Sequence, residues 1–263
     1  MILVLAGTSE GRKVASGLVK TGIGVMATAV TEYGGDLLRE AGVEKVLVGS
    51  LEYDRLSSLL EGDTIRAVVD ATHPYAVNIT SMALDLCREK NILYIRLERP
   101  ASKIPQHPLI RKARGLDEAL EKAIQPGAVL FSTLGSRNLA SIISRAQAAG
   151  VKVVARVLPD PAVLTECRKL GLGPQQIVAA QGPFSRRLNK EFFRFYGATV
   201  ILTKESGESG GVNTKISAAL ELGIPVVIWM RPRFDYPLLA GSPEEAIKQV
   251  KQFLKSEKWE DKV

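Results

Sequence analysis

The chain has 263 residues, 46% of them hydrophobic and 24% charged, with 35 Lys and Arg against 28 Asp and Glu for a formal net charge of +7. That composition suits a folded globular protein with one large domain or two small ones, and it excludes wholesale disorder. No apolar run reaches the roughly 18–20 residues that span a bilayer, and the chain opens on a strand pattern rather than a basic, then apolar, leader. Cys87 and Cys167 stand far apart without a C-x-x-C partner, and His73 and His107 are the only histidines. Buried free thiols, a cytoplasmic setting and no metal site are therefore expected. The basic surplus suits a polyanionic ligand. No aromatic-interleaved basic stripe points to nucleic acid, so neither nucleic acid nor membrane is expected as a partner.

The first half alternates strand and helix patterns. Apolar runs at Ile2–Ala6, Val25–Val30, Lys45–Val48, Ile65–Asp70 and Ile92–Leu97 read as strands. Helical spacing covers about Arg12–Lys20, Asp36–Ala41, Asp54–Leu60 and Tyr75–Lys90. Strands that are apolar almost throughout, separated by amphipathic helices, imply a parallel sheet covered on both faces. Right-handed crossovers put the loops after the strands on one edge, where open α/β sheets bind ligands.

Gly7-Thr-Ser-Glu-Gly-Arg12 lies on that edge. It lacks the G-x-G-x-x-G spacing, yet it joins a strand to a helix with two glycines, two hydroxyls and the free N–H groups of a helix start. A phosphate site and an ordinary capped turn both fit these residues. Asp70-Ala-Thr-His-Pro-Tyr75 closes the fourth strand. Pro74 pushes His73 towards an extended backbone, so Thr72, His73, Pro74 and Tyr75 form a stiff polar rim. His73 and Tyr75 are candidate proton donors, the alternative being a helix start whose amides are held by Asp70.

From Glu98 to Gly115 three prolines and five basic residues interrupt the pattern, which reads as an extended crossover. A second series follows, with strands near Ala128–Ser132, Val151–Val157, Ile177–Ala180, Thr199–Thr203 and Pro225–Trp229. Its helices fall near Leu116–Ile124, Arg137–Ala149, Pro161–Leu170, Phe184–Tyr196 and Asn213–Leu222, and a last helix at Pro243–Lys255 has Ser242 as its N-cap. The expected division is a Rossmann-like lobe over 1–98, a crossover over 99–115 and a second Rossmann-like lobe over 116–263, with a ligand cleft between the lobes. Val129–Arg137 repeats the plan of Leu3–Arg12: apolar strand, Gly with hydroxyls, then Arg.

Two further segments carry polar groups. Thr203-Lys-Glu-Ser-Gly-Glu-Ser-Gly-Gly211 reads as an anion-cradling turn or a flexible loop. It is not a P-loop, since Lys215 falls inside the following helix. Arg231-Pro-Arg-Phe-Asp-Tyr-Pro237 suits an acidic ligand or a solvated turn. Arg186, Arg187, Lys190 and Arg194 read as one polar helix face. No catalytic dyad or triad stands out, which leaves the chemistry to a bound cofactor. A two-lobed nucleotide-sugar transferase and a non-catalytic polyanion-binding module are the alternatives.

Gly7–Arg12, Asp70–Ala76, Tyr94-Ile-Arg-Leu-Glu-Arg-Pro100 and Thr203–Gly207, taken in order, resemble the precorrin-6A and cobalt-precorrin-6A reductases of cobalamin biosynthesis. The resemblance implies reduction of one macrocycle double bond with NADPH or NADH, by two Rossmann-like lobes holding cofactor and an anionic tetrapyrrole. Carried over by motif, Gly7, Thr8, Ser9, Glu10, Gly11, Arg12 and Thr72–Tyr75 would hold the cofactor. Arg96, Arg99, Lys204, Glu205, Ser206 and Gly207 would line the substrate side. Arg231 joins them as a partner for a carboxylate. The cobalt content of the substrate, the choice between NADPH and NADH, the proton donor and the oligomeric state stay open.

Overall fold

A computed structural model describes residues 1–62, 64–207 and 210–260, with the side chains of 257–260 left aside. The chain forms two compact units, one of residues 1–100 with 233–263, the other of residues 101–232. Each is a six-stranded, all-parallel sheet with helices.

The first unit runs β1 (Ile2–Leu5), α1 (Ser9–Val19), β2 (Val25–Ala29), α2 (Glu32–Glu40), β3 (Lys45–Val48), α3 (Tyr53–Leu59), β4 (Ala67–Asp70), α4 (Val77–Glu89) and β5 (Leu93–Leu97). The second runs β6 (Ile110–Ala113), α5 (Leu116–Ala123), β7 (Val129–Ser132), α6 (Leu139–Ala148), β8 (Lys152–Val157), α7 (Pro161–Lys169), β9 (Ile177–Ala179), α8 (Arg186–Phe195), β10 (Val200–Lys204), α9 (Val212–Glu221) and β11 (Val226–Trp229). The chain then returns to the first unit for β12 (Leu238–Ala240) and α10 (Pro243–Glu260).

The sheet orders are β12-β5-β4-β1-β2-β3 and β6-β11-β10-β7-β8-β9. Aligned from the far edge, both are the same doubly wound order. The sixth strand arrives after the other five in the first unit and before them in the second. The apolar runs produce this directly: β1 and β4 are buried at every residue, as central parallel strands must be. Ile2, Val4, Ala27, Val69 and Ile95 lie in one core layer with Val14 and Leu18 of α1. Leu3, Leu5, Val68 and Tyr94 face the other layer with Leu56, Leu84 and Cys87.

Three expectations are corrected here. The stretch expected as crossover contains β6, which pairs with β11. The chain after Pro232 belongs to the first unit rather than to a lobe over 116–263: β12 pairs with β5, and α10 packs on α1, where Gly17 leaves room for Ile247. Helix α2 starts at Glu32 rather than Asp36, because Thr31 caps it by accepting the Gly34 N–H at 3.1 Å.

Candidate functional site

In the first unit the strand order reverses between β1 and β4, the position where doubly wound sheets open a crevice at the carboxyl edge. The loops after these strands are Gly7–Thr8 and Ala71–Ala76. They are in close apposition, since a Cβ on Gly7 would lie 3.2 Å from Thr72 Cα. Gly11 lets α1 sit against its own strand: a Cβ there would stand 2.7 Å from Ala6 Cα. Thr8 joins the two loops, donating its hydroxyl to the Ala71 carbonyl at 2.9 Å and accepting the Gly11 N–H at 3.3 Å. Among the described residues the Ser9 and Glu10 amides have no hydrogen-bond partner, since the Thr8 cap takes only the Gly11 N–H of the first turn. Backbone approach through glycine and amides at a helix start together fit a phosphate-bearing cofactor. Arg12, in the same turn, makes no ion pair among the described residues.

The rim after β4 is held from beneath. Asp70 is fully buried; its Oδ1 accepts from the Thr72 N–H at 2.9 Å and the Thr72 hydroxyl at 2.7 Å. Its Oδ2 accepts from the Thr80 hydroxyl at 2.8 Å and the Tyr94 hydroxyl at 2.7 Å. Arg96, directly opposite Asp70 in the β4–β5 register, approaches it to 2.9 Å. Burial pushes the Asp70 carboxyl up, but Arg96, Thr72 and Tyr94 together outweigh it and hold the group below the usual carboxylate range. Burial, then the charge of Asp70, pushes the Tyr94 hydroxyl far up, so it stays protonated and donates. Arg96 also donates to the Thr72 carbonyl at 3.1 Å and the Thr72 hydroxyl at 3.2 Å. The helix-start reading of this loop is present: Asp70 secures the Thr72 amide and hydroxyl beneath the rim.

His73 and Tyr75 are half-buried, with ring centroids 5.6 Å apart. The Tyr75 N–H donates to His73 Nδ1 at 3.2 Å, which places the proton of the neutral ring on Nε2. The Ala76 N–H closes the turn on the His73 carbonyl at 2.8 Å.

The second unit repeats the device. Its order reverses between β7 and β10, so Val129–Ser132 occupies the place of β1. Thr133 donates to the Leu202 carbonyl at 3.2 Å, as Thr8 does to Ala71. Glu205 is fully buried one residue beyond β10. It accepts from the Ser102 N–H at 3.0 Å and the Gly207 N–H at 2.9 Å, and it forms an ion pair with Arg231, beyond β11. Gly207 is required twice over: its φ is +72°, and a Cβ would meet Arg231 Nη2 at 2.9 Å. Asp70–Arg96 and Glu205–Arg231 are therefore matching buried pairs, each holding the amide two residues on.

Of the residues expected on the substrate side, Arg96, Glu205 and Arg231 are engaged in ion pairs that hold loop positions. Arg99 pairs with Glu10 in the first turn of α1. Lys204 is half-buried at the end of β10, Ser206 follows Glu205, and Glu208 and Ser209 lie outside the described residues. Arg186 and Lys190 pair with Glu221, and Arg194 with Glu191, as a polar helix face does. Sequence reasoning missed Thr80, Tyr94, Arg156, Asn189 and Lys215. A lone arginine in the apolar run Val153-Val-Ala-Arg-Val157 was the available signal for one of them.

Among the described residues no group of three His, Cys, Asp or Glu side chains could hold a metal, and no helix is long and apolar enough to cross a membrane. A cavity of about 860 Å³ lies at the opposite, amino-terminal edge of the first sheet, lined by Ile65, Arg66, Ile92 and Leu93 among others.

The family model Precorrin-6x reductase CbiJ/CobK matches residues 1–254. The chain belongs to this family. It is 37% identical over 250 residues to the cobalt-precorrin-6A reductase of Methanocaldococcus jannaschii, covering 95% of this chain and 97% of that one. It is 36% identical over 248 residues to the cobalt-precorrin-6A reductase of Priestia megaterium, covering 94% and 96%. A solved structure titled CobK precorrin-6A reductase shares the fold, with a TM-score of 0.75 at 22% identity over 96% of each chain. In this chain each unit has a switch-point edge with a buried carboxylate–arginine pair beneath one of its loops.

Proposed function

We propose that the protein reduces one carbon–carbon double bond of cobalt-precorrin-6A, with hydride from NADPH or NADH, to give the corresponding 6B product. The observation that carries this is the coincidence of a family match over residues 1–254 with a dinucleotide-type switch point whose two loops meet at Gly7 and Thr72. The cobalt-containing substrate is favoured because both relatives described above bear it in their names.

When bound, the dihydronicotinamide supplies the hydride that adds to one carbon of the double bond, and a proton added to its neighbour completes the reduction. The chain's part is to position and to protonate. The amides of Ser9 and Glu10 hold the cofactor phosphates, and Arg12 meets a 2′-phosphate, so NADPH is preferred. The rim over Thr72–Tyr75, held rigid by Asp70 and Arg96, sets the distance to the reacting carbon. His73 donates the proton from Nε2, and the Tyr75 N–H fixes the ring through Nδ1. The basic surplus favours encounter with a polycarboxylate.

The test is a thermal scan with either nucleotide at millimolar concentration. NADPH should raise Tm more than NADH, as ligand linkage requires. No shift with either would overturn the cofactor assignment.

A further inference from the structure

The second unit gathers four cations at the carboxyl edge of its sheet: Arg137 after β7, Arg156 near the end of β8, Lys204 at the end of β10, and Lys215 in the first turns of α9. Arg156 is only 7% exposed. Its guanidinium lies over the Phe184 ring at 4.6 Å, and Nη1 donates to Asn189 Oδ1 at 2.8 Å. Asn189 is itself fully buried and anchored by the Ser185 carbonyl at 3.0 Å and the Phe184 carbonyl at 3.2 Å. Lys215 Nζ donates to the Gly210 carbonyl at 3.0 Å. Among the described residues, neither Arg156 nor Lys215 has a carboxylate within ion-pair reach. A buried cation without a counter-charge is costly; Arg156 is one, and it is held with the half-buried Lys215 at the edge where doubly wound sheets take ligands.

We propose that Arg156 and Lys215, with Lys204 and Arg137 around them, form an oxyanion subsite for a carboxylate or phosphate group. The choice of those two groups rests on the reductase reading: one comes from the side chains of the tetrapyrrole, the other from the cofactor. The electrostatics agree. Burial, then the charges of Arg156 from β8 and Lys204 from β10, push the Lys215 ammonium down to about 7. Burial, then Arg137, pushes Lys204 down as well, and burial brings Arg156 down to about 10. The nearest opposite charge described on α9, Glu221, is at its far end and engaged by Arg186 and Lys190 of α8. An arriving anion reverses the balance at Lys215 and draws a proton onto it.

The experiment is calorimetric titration of the full chain and of Lys215→Met, Arg156→Gln and the charge-keeping Lys215→Arg, with two probes. The probes are NADPH and a tetrapyrrole octacarboxylate, uroporphyrin. Weakening of roughly 30-fold or more for one probe in Lys215→Met and Arg156→Gln, recovered in Lys215→Arg, supports the subsite. Uroporphyrin as the affected probe assigns it to substrate carboxylates, NADPH to cofactor phosphate. Unchanged binding of both probes in folded variants overturns it. Should a variant not fold, the wild-type protein decides: proton uptake on binding at pH 8, absent at pH 6, supports the subsite, and equal uptake at both overturns it. Turnover of cobalt-precorrin-6A by the wild-type protein is scored separately, so failure of the reductase reading is not mistaken for failure of the subsite.

Discussion

Replacing Arg96 with Met tests the support beneath the rim. The side chains of Arg96 and Asp70 are 1% and 0% exposed, with 2.9 Å between Nη1 and Oδ1. Met fills much of the volume but leaves a buried carboxylate whose cation is gone, a change that costs about 3–5 kcal/mol. Thr72 loses two donors at the same time, so the penalty includes its loop. For a chain of this size that corresponds to roughly 6–20 °C in Tm. Without Arg96 the burial of Asp70 dominates, and its folded pKa rises above the unfolded value. Urea unfolding of the variant should therefore show a smaller penalty at pH 5 than at pH 7.5, because protonating Asp70 removes the orphaned charge. In the wild-type protein the sign is opposite: the Asp70 carboxyl is held low, so its contribution is complete above the unfolded pKa of about 4 and is lost only as pH falls below that. Arg96→Met paired with Asp70→Asn should recover part of the loss. A single-variant penalty below about 1 kcal/mol, or one that does not change with pH, would refute the reasoning.

Arg12→Ala should weaken NADPH about 10- to 100-fold, the worth of one charge-assisted hydrogen bond, while leaving NADH nearly unchanged; fluorescence titration of both nucleotides separates the cases. His73→Ala should lower kcat about 10²- to 10⁴-fold with little effect on nucleotide affinity, and Tyr75→Phe should alter turnover only a few-fold because its backbone N–H remains. If His73→Ala keeps near-normal kcat under single-turnover conditions, water or the substrate itself supplies the proton. Cys87, buried and pushed up to about 12 by burial and then by Asp70, should resist a disulfide-exchange reagent until the chain unfolds. Labelling at native conditions at the rate of a free thiol would contradict its placement.

The central strands were legible because each is a short, almost wholly apolar run, as a doubly covered parallel sheet requires. The two missed strands are both edges. Ile110-Arg-Lys-Ala113 is half charged, and Leu238–Ala240 spans three residues after a proline; periodicity is silent at that length. The C-terminal helix was read correctly as a helix but placed in the wrong unit, since membership depends on long-range packing at Gly17 and Ile247. The loops at Gly7 and Thr72 were legible as polar turns on the carboxyl edge of the sheet. The buried ion pairs of Arg96 and Arg231 were not, because an arginine at or beyond a strand end reads as facing a ligand until the fold sets it against a buried carboxylate.

The most direct test of the central claim is an anaerobic assay of the wild-type protein with cobalt-precorrin-6A and NADPH deuterated at the transferring carbon. The account predicts loss of the reduced-nicotinamide absorbance matched by product formation, with one deuterium per product molecule. A folded protein that binds both ligands yet oxidises no NADPH, or a product without deuterium, would contradict it.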